Sequence, residues 1–540
     1  MKKKIIICCA AITIFFIGTS FKNDFFEISK QIEIFTTLFK ELNMNYVDET
    51  NPGELMDTAI KSMLEDLDPY TNFLNEQDVV NYRINQSGEY SGIGANIRTV
   101  KDKMIILEPY KGYPADLAGL KPGDEIIKID DIYIKDFKDS YNDLLKGAPG
   151  STVTLTYLRQ GKQYTTAIKR EGIEIDAVPF YKKINENTGY IVLERFNDKA
   201  SKQVKDALVA LKAEGVDKLV LDLRNNPGGL LREAIEICNL FVPKGEVIVT
   251  TQSKVKKFNQ TYKTKRNPVD TEIPLVILVN GRSASASEIV SGALQDLDRA
   301  IVLGDRSFGK GLVQRPLKLS YGTQLKVTIS RYYTPSGRCI QALDYWNRDG
   351  SGKAVRTQEK DFKAFQTKNG RTVYDGGGIM PDVEIASSKN SVFTNSLINN
   401  YVIFDYVNNY FYSHQLTNAA DLKYTDKEYA NFKKYVIKSD FSFETDTEKK
   451  LKKLMTKNEL DALGNDVKIS YQNLLTTIED SKVNALDAYK AEIENAVENE
   501  IIKHYFYKEG LYTYNLTHDE AVTIATKLLN DSSKYKSILQ

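Results

Sequence analysis

The stretch PLVILVNGRSASASEIVSGALQDLDRAIVLGDRSFGK, residues 274–310, contains the pattern on which the fold assignment rests. Two apolar runs, PLVILVN and RAIVL, have the length of buried strands, and the segment between them, ASEIVSGALQDL, has the length and apolar spacing of a helix. A strand, a helix and a second strand in this order are typical of a parallel β-α-β unit. The stretch therefore predicts an α/β core.

The same alternation extends in both directions along the chain. Upstream, from Gly189, the sequence reads as strand GYIVLERF, helix KQVKDALVALKAEG, strand DKLVLDL and helix LLREAIEICNLF. Downstream, a segment at 344–378 that is rich in Gly, Lys and Asp is predicted to be an insertion or long loop, after which GGGIMPDVEI closes the core. The pattern predicts a layered core in which helices cover a largely parallel sheet.

Three flanking segments have different patterns. Residues 25–85 show helical spacing, with a break at Asp66 to Pro69, and the chain after residue 390 again has helical runs. Between Ser87 and Glu171 the sequence consists of short strands, glycine turns and one helical stretch, FKDSYNDLLKG, which predicts a compact β-rich module. The chain of 540 residues is thus expected to be an α+β multidomain protein.

Charge excludes some classes of partner. Lys and Arg number 73 against 72 Asp and Glu, which leaves a formal net charge of +1. No overall basic field favours nucleic acid, and no acidic field favours cationic partners. We therefore expect no nucleic-acid partner.

The first residues, MKKKIIICCAAITIFFIGTS, have the composition of an export signal. Three lysines precede an apolar run from Ile5 to about Ile17, and the small residues Gly18 to Ser20 follow it. We expect a signal peptide at 1–20 that is cut after Ser20, with an uncleaved membrane anchor as the alternative. Cys238 and Cys339 are then the cysteines of the mature chain, and they are too few for a disulfide framework.

Three loops that follow core strands hold the candidate chemistry: LVLDLRNNPGG at 219–229, LVNGRSASASE at 278–288 and GDRSFGKGLVQ at 304–314. Loops after parallel strands lie at one edge of the sheet, so these loops are expected to meet. The three histidines, His414, His504 and His518, all follow the core, and no H-E-x-x-H occurs. A Ser-His-Asp triad within the core and a zinc site of that kind are therefore excluded.

A serine and a lysine remain as the candidate reactive pair. Ser283, Ser285 and Ser287 stand at the start of a helix, where they either cap it or supply a nucleophile, and the residues alone do not choose among them. Lys310 in the third loop can act as the base if its pKa falls from about 10.4 to roughly 7–8. Burial in a dry site provides such a shift, and Gln314, on the same face of an extended segment, can orient the amine.

The third loop also has the spacing of a P-loop, G-x-x-x-x-G-K, from Gly304 to Lys310. The hydroxyl that should follow the lysine is replaced by Gly311, and the next segment alternates like a strand instead of a helix. The expected export also disfavours ATP as a ligand, because ATP is scarce outside the cytoplasm. We therefore expect no nucleotide and, with no cluster of metal-ligating residues in the core, no metal or other cofactor.

The sequence resembles the C-terminal processing peptidases, also called tail-specific proteases. The resemblance covers roughly residues 30–385 and rests on an ordered set of motifs. These motifs are LEDLDPYTNFL, YSGIGANI, GYPADLAGLKPGDEIIKIDD, LDLRNNPGG, LVNGRSASASEI, GDRSFGKGLVQ, TPSGRCIQ and GGGIMPDVEI. The resemblance implies a crotonase- and Clp-protease-like α/β core with an inserted PDZ domain and helical N- and C-terminal regions.

The resemblance also assigns roles to residues. It implies that Ser285 is the nucleophile, that Lys310 is the base and that Gln314 is the third catalytic residue. The oxyanion hole maps onto the backbone N–H groups of Ala286 and of either Gly228 or Gly229.

The β-rich module is similar to a PDZ domain. The loop that would receive a peptide carboxylate contains Ser91, Gly92, Ile93, Gly94 and Ala95, and the peptide would add a strand to the edge of the sheet. In LRQG, Arg159 resembles an arginine implicated in switching the protease.

These assignments predict an exported serine endopeptidase, periplasmic or membrane-associated, which binds protein substrates by their accessible C-termini and forms a homodimer. The alternative is a catalytically silent PDZ-type scaffold. The predicted segments are a signal peptide at 1–20, a helical region at 21–86, the PDZ domain at 87–172, the protease core at 173–390 and a helical region at 391–540.

Overall fold

The structure is a computed structural model that describes residues 25–100, 103–136, 141–350, 352–385, 390–455 and 464–540. The predicted signal peptide lies outside these residues. The chain divides into two compact units, one formed by residues up to Glu76 together with Gln314–Thr328, and the other by Gln77–Val313 and Ile329–Gln540.

Helices dominate both ends of the chain and alternate with strands in its middle. The helices are α1 at 25–45, α2 Pro52–Glu65, α3 Glu76–Ser87, α4 Pro114–Leu117, α5 Tyr141–Leu145, α6 Ala200–Ala213, α7 Leu231–Asn239, α8 Ala286–Asp296, α9 Val392–Asn399, α10 Val402–Ser413, α11 Asp426–Lys438, α12 Asp446–Leu454, α13 Asn465–Ala488, α14 Lys490–Leu516, α15 Glu520–Asn530 and α16 Ser532–Leu539.

The strands form several sheets. They are β1 Asn72–Leu74, β2 Glu89–Gly92, β3 Ala95–Val100, β4 Lys103–Pro109, β5 Glu125–Ile129, β6 Ile132–Tyr133, β7 Thr152–Arg159, β8 Lys162–Lys169, β9 Glu171–Glu174, β10 Phe180–Lys183, β11 Thr188–Val192, β12 Lys218–Asp222, β13 Val247–Gln252, β14 Gln260–Lys263, β15 Leu275–Val279, β16 Ile301–Gly304, β17 Leu312–Lys318, β18 Gln324–Tyr333, β19 Leu343–Arg348, β20 Ala354–Arg356, β21 Ala364–Gln366, β22 Thr372–Tyr374 and β23 Val383–Glu384.

In the smaller unit, two helices precede a short strand. Asn51 caps α2, because its side-chain oxygen accepts hydrogen bonds from the N–H groups of Gly53 and Glu54, and Pro52 occupies the first helical position. β1 then pairs antiparallel with the start of β18, with Asn72 opposite Lys326. The helical region predicted at 21–86 therefore contains a short strand, which α3 follows.

The core of the larger unit is a six-stranded sheet in the order β10-β11-β12-β15-β16-β23. β11, β12, β15, β16 and β23 are parallel to their neighbours, and β10 is antiparallel to β11. All five residues of β15 are buried, as expected for a strand with both faces covered. The predicted α/β core with a largely parallel sheet is confirmed.

Alternate residues of these strands contact two different layers of helices. Leu219, Leu221 and Ile277 face the layer formed by α6, α7 and α8. Val220 and Val276 face the opposite layer, which α15 and α16 supply from the end of the chain. The C-terminal helices are thus part of the hydrophobic core.

The predicted PDZ domain is a β-sheet in the order β3-β4-β5-β7-β8, with β6 paired to β5. β2 and β9 pair antiparallel where the chain enters and leaves this module. Its own core contains Met104, Ile106, Ile126, Val153 and Leu155, all nearly inaccessible to solvent. The prediction of a compact β-rich module is confirmed.

Two further features complete the fold. The segment at 344–378, predicted to be an insertion or long loop, contains two antiparallel pairs, β19 with β20 and β21 with β22, whose strands are too short and polar to stand out in the sequence. Cys238 and Cys339 are free thiols.

Candidate active site

The three loops predicted to meet do so at the carboxyl end of the parallel sheet. Asn225 N–H, after β12, donates to Asn280 Oδ1, after β15, at 3.0 Å. Ala284 N–H donates to Asn226 O at 3.0 Å, and Phe308 N–H, after β16, donates to Ser283 O at 3.0 Å. Backbone hydrogen bonds therefore fix the relative positions of the serine, glycine and lysine loops.

The three serines of the SASASE segment have different environments. Ser283 and Ser287 are fully buried, and their hydroxyls donate to Leu223 O at 2.8 Å and to Asn226 O at 2.9 Å. Ser285 is only partly buried and has φ 55° and ψ −111°, a backbone conformation that costs a non-glycine residue free energy. Strained backbone of this kind is typical of functional sites, and the other two hydroxyls already have structural roles.

The predicted oxyanion-hole groups lie next to Ser285. Ala286 opens α8, and the first N–H groups of a helix have no acceptor within it. A Cβ atom at Gly228, where φ is 97°, would lie 2.6 Å from Ala284 O and 2.8 Å from Ala286 N. Only glycine allows this close approach.

The two glycines differ in what their backbone contacts. Gly228 N–H donates to Asn226 Oδ1 at 2.9 Å, so that N–H group is already engaged. Gly229 packs against Phe196, where an added Cβ would lie 2.4 Å from the carbonyl oxygen. Gly228 is therefore the residue in contact with Ser285, and Gly229 is the one whose N–H has no acceptor among the described residues.

Glu288 connects the serine loop to the lysine loop, a role that the sequence interpretation missed. Its side chain is fully buried. Oε2 accepts hydrogen bonds from Ser285 N–H at 2.7 Å and from Lys310 N–H at 2.9 Å. Oε1 accepts from Ser307 Oγ at 2.6 Å and from Gly309 N–H at 2.6 Å. One carboxylate oxygen thus holds the backbones of Ser285 and Lys310 side by side.

Burial and hydrogen bonding shift the pKa of Glu288 in opposite directions. Burial raises its pKa, and the four donors lower it in part, with a net upward shift. The signal in the sequence was the spacing Ser-x-x-Glu at 285–288, which is typical of a helix start where the glutamate accepts from the N–H three residues earlier.

The side chain of Gln314 belongs to a short hydrogen-bond chain in the smaller unit. Its amide donates to Thr328 Oγ1 at 3.1 Å, and Thr71 Oγ1 donates to the same hydroxyl at 3.3 Å. Thr71 Oγ1 and N–H both contact Asp68, at 3.0 Å and 2.9 Å. The DPYT part of the LEDLDPYTNFL motif therefore contacts β18 at Thr328, the residue that accepts a hydrogen bond from Gln314 on β17.

Behind the glycine loop, an arginine joins the core to the C-terminal helices. Arg224 donates to Asp222 and to Asp519, with its closest contacts at 2.5 Å and 2.6 Å. Asp519 also caps α15 by accepting from Val522 N–H at 3.1 Å. Tyr190 donates to the same carboxylate of Asp222 at 2.6 Å. Because Asp519 lies 295 residues from Arg224, local sequence patterns could not reveal this pair.

The predicted carboxylate-binding loop connects β2 to β3. Gly94 has φ 73°, Ile93 is buried in the PDZ core, and Ala95 begins β3. The Ser91 hydroxyl is buried and has no hydrogen-bond partner among the described residues. Gly92 ends β2, and β3 is a terminal strand in the order of its sheet, the position that strand addition by a peptide requires.

The predicted regulatory residue, Arg159, is bound within the PDZ domain. Its guanidinium donates to both carboxylate oxygens of Asp124, at 2.7 Å and 2.6 Å, and to Gly119 O at 2.8 Å. Its switching role stays a prediction.

In the part of the chain that the structure describes, no three His, Cys, Asp or Glu side chains are grouped as metal ligands. Among the same residues, no helix has both the length and the apolar character needed to cross a membrane.

Comparison with known families matches three segments of the chain. Residues 187–345 match peptidase family S41, residues 91–169 match a PDZ domain, and residues 393–529 match the C-terminal helical domain described as that of a probable PDZ-protease.

Individual relatives have similar names. Probable CtpA-like serine proteases of Staphylococcus aureus (strain MRSA252) and Staphylococcus haemolyticus are 36% and 35% identical over 307 and 308 residues, which is 56% of this chain and 61% of each relative. Among solved structures, a photosystem II D1 C-terminal processing protease is 27% identical with a TM-score of 0.36, covering 65% of this chain and 86% of that one. A putative S41 protease from Bacteroides fragilis is 17% identical with a TM-score of 0.36, covering 66% and 86%.

Along the chain, the matched segments lie in the order PDZ domain, S41 domain and C-terminal helical domain. The chain therefore carries a peptidase family S41 domain, a PDZ domain and a PDZ-protease C-terminal helical domain, and the relatives named above are CtpA-like serine proteases of which it covers less than two thirds.

Proposed function

We propose that this protein is an exported serine endopeptidase that binds protein substrates by their C-terminal ends and cuts them with a Ser285–Lys310 dyad. The observation that carries the proposal is that Glu288 Oε2 accepts hydrogen bonds from both Ser285 N–H and Lys310 N–H. Two loops from different strands are thereby held together at the start of α8, beside Gly228.

In the proposed mechanism, Ser285 Oγ attacks the carbonyl carbon of the scissile bond while Lys310 Nζ accepts the hydroxyl proton. Lys310 then gives this proton to the leaving amine, and water hydrolyses the acyl-enzyme with the lysine again as base. The N–H groups of Ala286 and Gly229 stabilise the oxyanion. For this cycle the pKa of Lys310 must be about 3 units below its usual value, which corresponds to roughly 4 kcal/mol.

The PDZ domain supplies substrate capture in this proposal. The substrate's last residues pair with β3 as an added strand, and the terminal carboxylate meets the N–H groups of the loop at 91–95. The Ser91 hydroxyl, which has no hydrogen-bond partner among the described residues, offers a further donor there. Substrates are therefore proteins or peptides with accessible, unstructured C-termini.

Location and assembly are part of the same proposal. The leader at 1–20 directs the chain out of the cytoplasm. The exported chain works in the periplasm or at the membrane facing the periplasm. It acts there as a homodimer. The dyad mechanism uses no metal, nucleotide or other cofactor.

Cleavage of an unfolded protein with a free C-terminus tests the proposal. Ser285→Ala and Lys310→Ala are expected to lower the rate by at least about a thousandfold, because each removes one half of the dyad. Lys205→Ala, on the exposed face of α6, is the matched control and should cleave at the normal rate. All assays contain a chelator and no ATP.

Unchanged cleavage in both dyad variants would contradict the proposal, as would a requirement for metal or ATP. Binding of the unfolded protein without any cleavage by the unaltered chain would favour the silent PDZ scaffold instead.

A further inference from the structure

Helix α14 is interrupted at one residue, Tyr507. Its φ of 59° and ψ of −172° lie far from helical values, although helical residues continue on both sides. A tyrosine adopts this conformation only where surrounding contacts hold it there, because its Cβ clashes with the backbone. The contacts that hold Tyr507 therefore indicate what the interruption does.

On one side, Tyr507 contacts the PDZ domain. Its hydroxyl donates to Asp116 Oδ1 at 2.6 Å, and Asp116 Oδ2 accepts from Gly112 N–H at 2.8 Å. Nearby, Lys111 forms an ion pair with Glu509 at 2.8 Å. The interruption in α14 is thus bound to α4 through Asp116 and to the loop between β4 and α4 through Lys111.

That loop supports the predicted carboxylate-binding residues directly. Ala115 N–H donates to Ile93 O at 2.8 Å, and Tyr110 N–H donates to Gly94 O at 2.9 Å. A peptide carboxylate seated on the N–H group of Gly94 would act on the Ile93–Gly94 peptide unit, whose carbonyl oxygen accepts from Ala115. Asp116 is therefore one hydrogen-bonded loop away from the captured C-terminus.

On the other side, the residues just after Tyr507 contact the protease core. Lys508 forms an ion pair with Glu194 at 2.6 Å, and the Tyr512 hydroxyl donates to the other oxygen of the same carboxylate. Glu194 is mostly buried, with 19% of its side chain exposed. The carboxylate is thereby held by two side chains from one turn of α14.

Glu194 lies two residues before Phe196, which hydrogen-bonds to the oxyanion loop. Phe196 N–H donates to Gly228 O at 3.3 Å, and Leu230 N–H donates to Phe196 O at 2.8 Å. Glu194 and Phe196 belong to the same short segment after β11. A shift of this segment would move the carbonyl group of the Gly228–Gly229 peptide, because Phe196 N–H donates to it. The position of α14 after Tyr507 therefore bears on the geometry that stabilises the oxyanion.

The space beside Tyr507 allows movement. A cavity of about 190 Å³ lies between the PDZ domain and α14, with Glu108, Lys503, His504 and Tyr507 in its wall. His504 Nε2 is buried and has no hydrogen-bond partner among the described residues. Such an interface is less tightly packed than a protein core, which makes it suited to more than one arrangement.

We propose that Tyr507 and Glu194 are positioning residues through which peptide binding at the PDZ domain adjusts the oxyanion hole, with α14 as the connecting element. The proposal rests on the proposed function and deepens it, because it gives the C-terminal helical domain a role in coupling capture to cleavage. Peptide binding and the active conformation of the Gly228–Gly229 loop then favour each other reciprocally. A physical path of contacts alone does not establish coupling, so the test measures the coupling itself.

The experiment separates the captured peptide from the cleaved one. The substrate is an internally quenched peptide with an amidated C-terminus, and the effector is a second, short peptide with a free carboxylate and an apolar last residue. In the unaltered chain the effector should raise kcat by at least about fivefold with little change in KM, because the oxyanion hole acts in the transition state. The amidated form of the effector should have no effect.

Tyr507→Phe removes only the hydroxyl that reaches Asp116. We expect the effector's Kd, measured by fluorescence anisotropy, to change by less than about threefold, while its effect on kcat falls below about twofold. Glu194→Gln should weaken the effect in the same way from the core side. Tyr505→Phe is the matched control, because that hydroxyl bonds to Phe411 O and His414 O within the helical domain, and it should keep the full effect.

Full activation in both Tyr507→Phe and Glu194→Gln, with normal effector binding, would overturn the inference. So would the absence of activation in the unaltered chain, although Ser285-dependent cleavage would then leave the proposed function intact. If the unaltered chain cleaves nothing, the proposed function fails and the inference falls with it.

Discussion

Glu288 shows how one buried side chain organises a site made from separate loops. Each of its oxygens accepts two hydrogen bonds, and three of the four donors are backbone N–H groups. Only an ionised carboxylate can accept from four donors at once, which offsets part of the cost of burying its charge. The residue therefore acts through the backbones of Ser285 and Lys310 and need not touch the substrate.

We expect Glu288→Gln to lower kcat/KM by at least about tenfold and the free energy of unfolding by about 1–3 kcal/mol. The amide keeps the size of the side chain, but its NH₂ group would face two donors in place of an acceptor. Enzyme kinetics and urea unfolding measure the two effects. Glu214→Gln, on the surface, is the control, and a Glu288→Gln variant that matches it in both measurements would contradict this role.

The choice among the serines illustrates what could be predicted at the residue scale. The residues alone left Ser283, Ser285 and Ser287 equivalent, and only the family resemblance selected Ser285. The structure adds a physical difference, since the other two hydroxyls donate to buried carbonyl groups and Ser285 alone has a positive φ among them. Such differences depend on contacts with residues about 60 positions away, which a local pattern does not contain.

At the scale of elements, the sequence predicted the core strands and helices well, because strands buried on both faces are continuous apolar runs. It did not predict which helices form the second layer. The apolar face of α15 contains Val522, Ala525 and Leu529, and such a face indicates burial without indicating the partner. That partner is the sheet more than 200 residues earlier in the chain.

Tyr535 in α16 provides a test of this packing. Its hydroxyl accepts from Leu275 N–H at 2.9 Å and donates to Leu275 O at 3.1 Å, at the start of β15. Tyr535→Phe leaves both backbone groups buried without that partner, so we expect the free energy of unfolding to fall by about 1–3 kcal/mol. Tyr321→Phe, at an exposed tyrosine, is the control in the same urea titration. Equal stability of the two variants would contradict a structural role for α16.

At the scale of the whole molecule, the proposed homodimer can be connected to α1. Apolar residues on this helix recur at alternating intervals of three and four: Phe25, Ile28, Ile32, Phe35, Phe39 and Leu42. Most are exposed, with Phe25 at 71% and Ile32 at 61%. This spacing is the pattern by which two helices pack along a seam.

We therefore expect the mature chain to be a dimer of about 120 kDa by light scattering, since a single full chain has a mass of 61.1 kDa. Replacing Ile32 and Phe35 together by glutamate should give monomers, because charge at the seam would be buried in the dimer. Lys30→Glu, which lies off the seam, should remain dimeric. A dimer that persists in the double variant would exclude α1 as the contact.

If Ser285 is a nucleophile activated by Lys310, a fluorophosphonate probe should phosphonylate its hydroxyl with loss of fluoride, and mapping the labelled residue measures this. Mass spectrometry of the digested protein should find the label on Ser285 and on neither Ser283 nor Ser287, and Lys310→Ala should abolish labelling while the chain stays folded. A label on any other residue, or labelling of Lys310→Ala at the normal rate, would mean that Ser285 is not a nucleophile activated by Lys310.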